Sequence, residues 1–265
     1  MTIDTTFFTA ADVAYDLFAI PYAFSALFHN PDARVEICVE NPAAFRERNR
    51  PAIEALHTRF GERVLFRGGD FKGRRPHIVR FLEAPQVKTE FTYIGDVDIL
   101  ILQHVSASHR QKIADLGIPH SNIRRAGHER LSGLHFTRTE AYYPVQIPSG
   151  FDIAARGPGA DERFLYETVK ARGHLPPAGH RWRPVHGFHL SFRNRFPLAP
   201  LGWVLNERME PAYRAMIRAD EWQSVERYFD PRFLAVKMLL DGALAARAAF
   251  ADKPLKRIRM LTGKT

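Results

Sequence analysis

The run Phe91–Gln103 is the most apolar stretch of this 265-residue chain, and two aspartates stand in its middle: Tyr93-Ile94-Gly95-Asp96-Val97-Asp98-Ile99-Leu100-Ile101. A strand this apolar needs cover on both faces, the condition of a central strand in a parallel sheet rather than in a one-sided antiparallel one. The segments before it agree. Strand-like and helix-like stretches alternate: Ala14–Ile20 reads as a strand ended by Pro21-Tyr22, Ala23–His29 as a helix, Asn30-Pro31-Asp32 as a turn and Arg34–Val39 as a second strand. Pro42–Phe60 reads as a charged amphipathic helix that Pro51 can break and Gly61 ends. Arg63–Phe66 is a third strand, His77–Glu83 a short helix, and Ser106–Leu116 a helix with Ser106 as N-cap and Gly117 as its stop. Alternation of this kind predicts an α/β fold, a mostly parallel sheet flanked by helices.

The second half reads differently. Leu131–Thr137 is one more strand, Ala160–Arg172 a helix with acids in its first turn, and Arg181–Phe196 an irregular stretch rich in His, Arg and aromatics. Two helices close the chain, near Met209–Tyr228 and Pro231–Ala251, followed by a short basic tail, Asp252–Thr265. No internal repeat or low-complexity tract is visible.

Composition excludes several classes. With 45% hydrophobic and 25% charged residues the chain has an ordinary globular balance. Cys38 is its one cysteine, so neither an intramolecular disulfide nor a thiolate metal cage can form, and its apolar neighbours predict a buried strand thiol. The net charge of +9 suits nucleic acid, an anionic membrane surface or phosphate-bearing substrates, and does not choose among them. Met1–Ala10 has no signal-peptide pattern, and no window reaches the roughly 18–20 apolar residues of a spanning helix. A cytoplasmic protein is expected.

Asp96 and Asp98 carry the strongest chemical signal. Residues two apart on a strand project to one side. Two like charges held together in an apolar setting need a compensating cation, and carboxylate oxygens suit hard ions such as Mn²⁺ or Mg²⁺. Gly95 lets the backbone turn sharply or admits a close ligand. The alternative is a strand that leaves its core here with both aspartates solvated at an edge.

On these residues the chain resembles the GT-A nucleotide-sugar glycosyltransferases, with the glycogenin-like branch as the nearest comparison. Tyr93-Ile94-Gly95-Asp96-Val97-Asp98 is similar to their Asp-x-Asp strand end. Phe18-Ala19-Ile20-Pro21-Tyr22 falls where their first strand meets the base and ribose, Leu131–Phe136 resembles the strand lining the acceptor pocket, and Val185-His186-Gly187 resembles their late metal-binding segment. The pattern spans most of residues 14–190. It implies a catalytic domain over 1–205 with a helical extension over 206–265. It also implies transfer of a sugar from a nucleoside diphosphate sugar to a glycan or other hydroxyl acceptor. Asp96, Asp98 and His186 would hold the metal, and Asp96 could instead bind the ribose. Ala19, Ile20, Pro21 and Tyr22 would hold the nucleoside. The late segment departs from the pattern: Gly187 is followed by Phe188-His189-Leu190-Ser191-Phe192-Arg193-Asn194-Arg195. The diphosphate would then fall to His189, Arg80, Arg193 or Arg195, whose planar guanidinium groups suit phosphate oxygens.

Bland readings stand beside these. His120, His174 and His180 suit ordinary hydrogen-bonded rings. Asp161 and Glu162 open a helix, where capping and dipole compensation explain acids without function; in the enzyme reading they face the acceptor hydroxyl. The tail residues Lys253, Lys256, Arg257 and Arg259, interleaved with Leu255, Ile258 and Met260, suit a weak anionic membrane-surface contact or a frayed end. Two rivals remain. A nucleotidyltransferase also uses a Gly-Asp-x-Asp strand, but no Gly-Ser pair precedes Asp96. A basic RNA- or glycan-binding module would use Arg181-Trp182-Arg183, but it leaves the buried acids unexplained, and no nucleic-acid partner is expected.

Overall fold

The computed structural model describes residues 2–154, 157, 159–180, 182, 186–190 and 205–251, with side chains described as far as 247. Arg193, Arg195 and the tail 252–265 lie outside the described residues.

The fold is mixed α/β. Thr5–Ala11 forms β1, followed by a single 3-10 turn, Asp16–Phe18, and α1, Ala19–His29. Next come β2 (Ala33–Val39), α2 (Pro42–Arg48), α3 (Arg50–Phe60), β3 (Val64–Gly68), α4 (Pro76–Leu82) and β4 (Phe91–Ile94). Among the described residues these strands join β6 (His120–Ser121) and β7 (His135–Arg138) in a six-stranded sheet of order β3-β2-β1-β4-β7-β6. β3, β2, β1 and β4 run parallel, and β7 and β6 are antiparallel additions beyond β4. Between β1 and β4 the strand order reverses, so the two chains leave the sheet in opposite directions at their carboxyl ends. That crevice is where open α/β sheets bind ligands.

The apolar run does not stay one strand. β4 stops at Ile94, the chain turns over Gly95–Asp98, and β5 (Ile99–Ile101) pairs antiparallel with β8 (Gly187–His189) in a separate two-stranded sheet. Gly95 sits at the break, where a Cβ would come within 2.8 Å of the Tyr93 ring. The remaining elements are α5 (Ser106–Leu116), α6 (Thr139–Tyr142), α7 (Ala160–Ala171), α8 (Glu210–Arg218), α9 (Asp220–Glu226) and α10 (Pro231–Ala251). Ser106 makes no capping bond; its hydroxyl lies 3.2 Å from that of Thr5. Gly117 does stop α5, in the left-handed conformation at φ 63°.

The largest correction concerns the first strand. Ala14–Ile20 is not extended: it lies in the 3-10 turn and the start of α1, and Pro21 falls in the first turn of that helix. A first-turn proline is tolerated because its missing N–H would have had no intrahelical partner. From Ala19 to Leu27 the helix is buried all round, so it has no polar face and no amphipathic periodicity to reveal it. The true first strand, Thr-Thr-Phe-Phe-Thr-Ala-Ala, is likewise buried on both faces.

One face of the sheet is covered by α1 and α3 and then by the C-terminal helices. Trp222 meets Phe24 edge-on at 5.2 Å, and Phe233 meets Phe18 at 5.9 Å. The other face is covered by α4 and α7 through Ile78, Phe81, Phe164 and Leu165. Cys38 is buried in β2, with burial pushing its thiol up to about 12. No helix among the described residues is long and apolar enough to cross a membrane.

Candidate functional site

A cavity of about 490 Å³ opens at the carboxyl ends of β1 and β4. Its walls come from separate parts of the chain. The loop after β1 gives Asp12 and Tyr15, α4 gives His77 and Arg80, the break after β4 gives Asp96 and Asp98, and the opposite wall gives Ser132, Gly133, Asp161 and Glu162. His189, at the end of β8, completes it.

Ligand atoms of Asp96, Asp98 and His189 all lie within 4.8 Å of one another. The register of the small sheet brings them together: His189 pairs with Ile99, and Leu190 N–H donates to the Asp98 carbonyl at 2.8 Å. His189 Nε2 is 3.2 Å from Asp98 Oδ1. Burial alone would lower the imidazole's pKa, but the hydrogen bond and charge of Asp98, with that of Asp96, outweigh it and hold the ring above its ordinary value. Asp98 is buried and Asp96 half-buried.

Arg80 lies beneath these acids. Its guanidinium donates from Nη1 to Asp96 and from Nη2 to Asp161 Oδ2 at 3.0 Å. Burial raises the Asp96 carboxyl, but the charges of Arg80, His189 and His77 win, so its pKa falls below the ordinary value. A Cβ on Gly133 would stand 3.0 Å from Arg80 Nη2, 3.8 Å from Asp161 Oδ2 and 3.9 Å from Asp96 Oδ2. The glycine therefore leaves this ion-pair trio open to the cavity. Glu162 is held from the other side, accepting from Arg125 Nε at 3.0 Å with Arg130 3.8 Å away. Neither Asp161 nor Glu162 caps α7, whose N-cap is Gly159 with no side-chain bond. Side-chain capping therefore does not account for these two acids, although both stand in the first turn of α7, where the helix dipole favours them.

The structure thus gathers Arg80, Asp96, Asp98, Asp161, Glu162 and His189 around one cavity and leaves other expected residues outside it. His186 does not join the acids. Its ring stacks on His109 at 5.1 Å and lies 5.0 Å from Tyr93, in the buried layer under the sheet. Ala19, Ile20, Pro21 and Tyr22 form the buried start of α1 and do not line the cavity. The cavity is lined instead by Asp12 and Tyr15 of the loop after β1, which sequence reasoning missed because it put the first strand nine residues too late. His77 was also missed, since a helix-start histidine carries no pattern of its own; Gly133 lies in the Leu131–Phe136 segment that the resemblance put at the acceptor pocket, and Ser132, Gly133 and Leu134 do line the cavity. Burial lowers His77 despite the pull of Asp161.

The donor set fits a hard divalent cation. Two carboxylates and an imidazole suit Mn²⁺ or Mg²⁺. Among the described residues, five carboxylates line the cavity, those of Asp12, Asp96, Asp98, Asp161 and Glu162, together with the guanidinium of Arg80, while Arg125 reaches Glu162 from outside it. An anionic ligand meets that imbalance unless a cation offsets it.

No known protein family's profile matches the chain, and no curated protein matches it in sequence. Among solved structures, an active-site mutant of LgtC superposes on 52% of this chain and 57% of its own, at 17% identity and a TM-score of 0.39. Galactosyltransferase LgtC in complex with donor and acceptor sugar analogues gives 52% and 58%, at 15% identity and 0.36. The apo form of the glycosyltransferase GlyE from Streptococcus pneumoniae TIGR4 gives 54% and 35%, at 13% identity and 0.36. The chain therefore spans less than two thirds of each of these proteins.

Proposed function

We propose that this chain is a divalent-metal-dependent glycosyltransferase that moves a sugar from a nucleoside diphosphate sugar to a hydroxyl acceptor. The observation carrying this reading is the convergence of Asp96, Asp98 and His189 in a cavity at the point where the strand order reverses. In this reading Asp96, Asp98 and His189 hold Mn²⁺ or Mg²⁺. When bound, the ion supplies Lewis-acid stabilisation of a leaving diphosphate. Asp12 and Tyr15 grip the nucleoside; the tyrosine offers a ring face for a base. Arg80 fixes the carboxylates of Asp96 and Asp161 and keeps their mutual repulsion in check. Asp161 and Glu162, each held by arginine, orient the acceptor hydroxyl from the wall opposite the loop after β1. The basic tail 252–265 adds a weak contact with anionic lipid.

A thermal-shift panel of nucleoside diphosphates and their sugar conjugates, with and without Mn²⁺, tests the reading. A ligand at about 100 times its Kd stabilises the native state by about 2.7 kcal/mol. At roughly 2 °C per kcal/mol for a chain of this size, that is a rise of about 5 °C in melting temperature, and it should require the metal. If no nucleotide shifts the protein with Mn²⁺ present, the proposal fails.

A further inference from the structure

The loop after β1 is short, and much of what holds it comes from the far end of the chain. Within the loop, Tyr15 N–H donates to the Asp12 carbonyl and to Asp12 Oδ1, both at 3.0 Å, and Asp16 N–H donates to the Asp12 carbonyl at 2.8 Å. These bonds fold Asp12–Asp16 into a turn. What fixes the turn in place is the buried carboxylate of Asp16. One oxygen accepts from Arg48 Nη2 at the end of α2, and the other from Arg232 Nη2 at the start of α10, 2.7 Å away and 216 residues on in the sequence.

Arg232 uses every nitrogen of its guanidinium. Nη1 donates to the Val13 carbonyl at 3.1 Å, Nε to Asp230 Oδ1 at 3.0 Å, and Nη2 to Asp230 Oδ2 at 2.7 Å as well as to Asp16. Arg48 Nε closes the ring at 3.4 Å from Asp230 Oδ2. Two buried acids and two arginines thus balance in charge. The planar fork of Arg232 spans three acceptors that a lysine could not reach together. One of the three is the backbone of the loop itself, midway between Asp12 and Tyr15. Edge-to-face contact of Phe233 with Phe18 holds the two segments together below.

We infer that Arg232 is a positioning residue: it clamps the Asp12–Tyr15 loop from the C-terminal helix and so sets the affinity of the cavity for the nucleoside part of its ligand. This rests on the reading of the cavity as a nucleotide site. Without the clamp the loop keeps its residues but samples positions in which Tyr15 no longer faces the cavity. Asp96, Asp98 and His189 are held by β4, β5 and β8, and among the described residues none of the three bonds to Arg232, Asp230, Arg48 or Asp16, so their geometry stays.

The test compares wild type with Arg232→Met and Arg232→Lys. Two measurements are made on each folded protein. The first is amide hydrogen exchange of residues 12–16 against that of β1. The second is calorimetric binding, with Mn²⁺, of UDP, GDP, ADP and CDP and separately of inorganic pyrophosphate. In Arg232→Met the loop amides should exchange faster while β1 stays protected. If the loop is then competent about one-tenth of the time, the nucleoside diphosphate that wild type binds should weaken about tenfold, because apparent Kd scales inversely with the competent fraction. Pyrophosphate should bind as before, and Arg232→Lys should fall between. Unchanged loop exchange overturns the clamp, as does equal weakening of nucleotide and pyrophosphate, which would mean that Arg232 acts only on overall stability. If wild type binds none of the four nucleotides, the nucleotide reading falls, and loop exchange alone decides whether the clamp exists.

Discussion

Replacing Arg80 with methionine removes the cation that separates Asp96 from Asp161. The methionine stem fills most of the same space, so the effect is electrostatic rather than a cavity. In the wild type the Arg80 side chain is 3% exposed, with Asp161 15% and Asp96 32% exposed. Removing one partner of a buried ion pair costs about 3–5 kcal/mol. Water reaches Asp96 and offsets part of that, so the lower end, about 3 kcal/mol, is expected. For a chain of this length that is a fall of about 6 °C in melting temperature, read by circular dichroism without added metal. The companion Arg80→Met/Asp161→Asn variant removes one of the two stranded charges and with it the repulsion between them. It should recover a large part of the loss, with a coupling of roughly 1–3 kcal/mol between neighbouring sites. A single variant melting within about 2 °C of wild type would show that Arg80 does not hold these acids. So would a double variant whose loss is the sum of the two single losses.

Asp98→Asn should fold normally and lose any Mn²⁺-dependent stabilisation by nucleotide; a variant with a wild-type shift would remove Asp98 from the metal set. Gly187→Ala should fail to pair β8 with β5, because the new Cβ would lie 1.7 Å from the Leu100 carbonyl oxygen. It should therefore displace His189 and lose the metal effect as Asp98→Asn does. A Gly187→Ala protein that binds Mn²⁺ normally refutes the placement of His189. Burial lowers His120 to about 3 and His29 to about 4. Both folded values lie below the unfolded value near 6.5, so the unfolded state takes up protons first. Stability is full above about pH 6.5 and declines as pH falls, by up to about 1.4 kcal/mol per pH unit for His120. The urea midpoint should drop between pH 7 and pH 5, and His120→Gln should flatten that slope; a midpoint equal at both pH values contradicts it.

The parallel sheet was legible because its strands and helices mostly differ in period. β2, β3 and the split of Pro42–Phe60 into α2 and α3 near Pro51 all lie close to where the sequence puts them. What failed were the two elements most completely buried. α1 has no polar face, and β1 is covered on both sides, so neither shows the contrast on which periodicity depends. The aspartates were visible for the opposite reason. Charge inside the apolar run Phe91–Gln103 breaks a local rule, and such breaks mark sites that a protein uses or strains. The same charges explain why the run is two strands rather than one: β4 and β5 belong to different sheets, and Asp96 and Asp98 occupy the crossing.

The choice between His186 and His189 shows where a sequence stops. The two differ by three residues, an odd spacing, so on an extended segment they face opposite sides, and at most one can stand with the acids. Composition cannot choose, since both rings are imidazoles in an apolar setting. Register can, because a slip of one residue exchanges the two faces. The β5–β8 register is fixed where Gly187 meets the Leu100 carbonyl too closely for any Cβ, and where Leu102 N–H donates to the His186 carbonyl at 2.8 Å. With that pairing His189 falls opposite Ile99, next to Asp98, and His186 turns to the stacked ring of His109. What the late His-Gly pair contributes to this arrangement is its glycine. Gly187 sets the register, and the register decides which histidine reaches the acids.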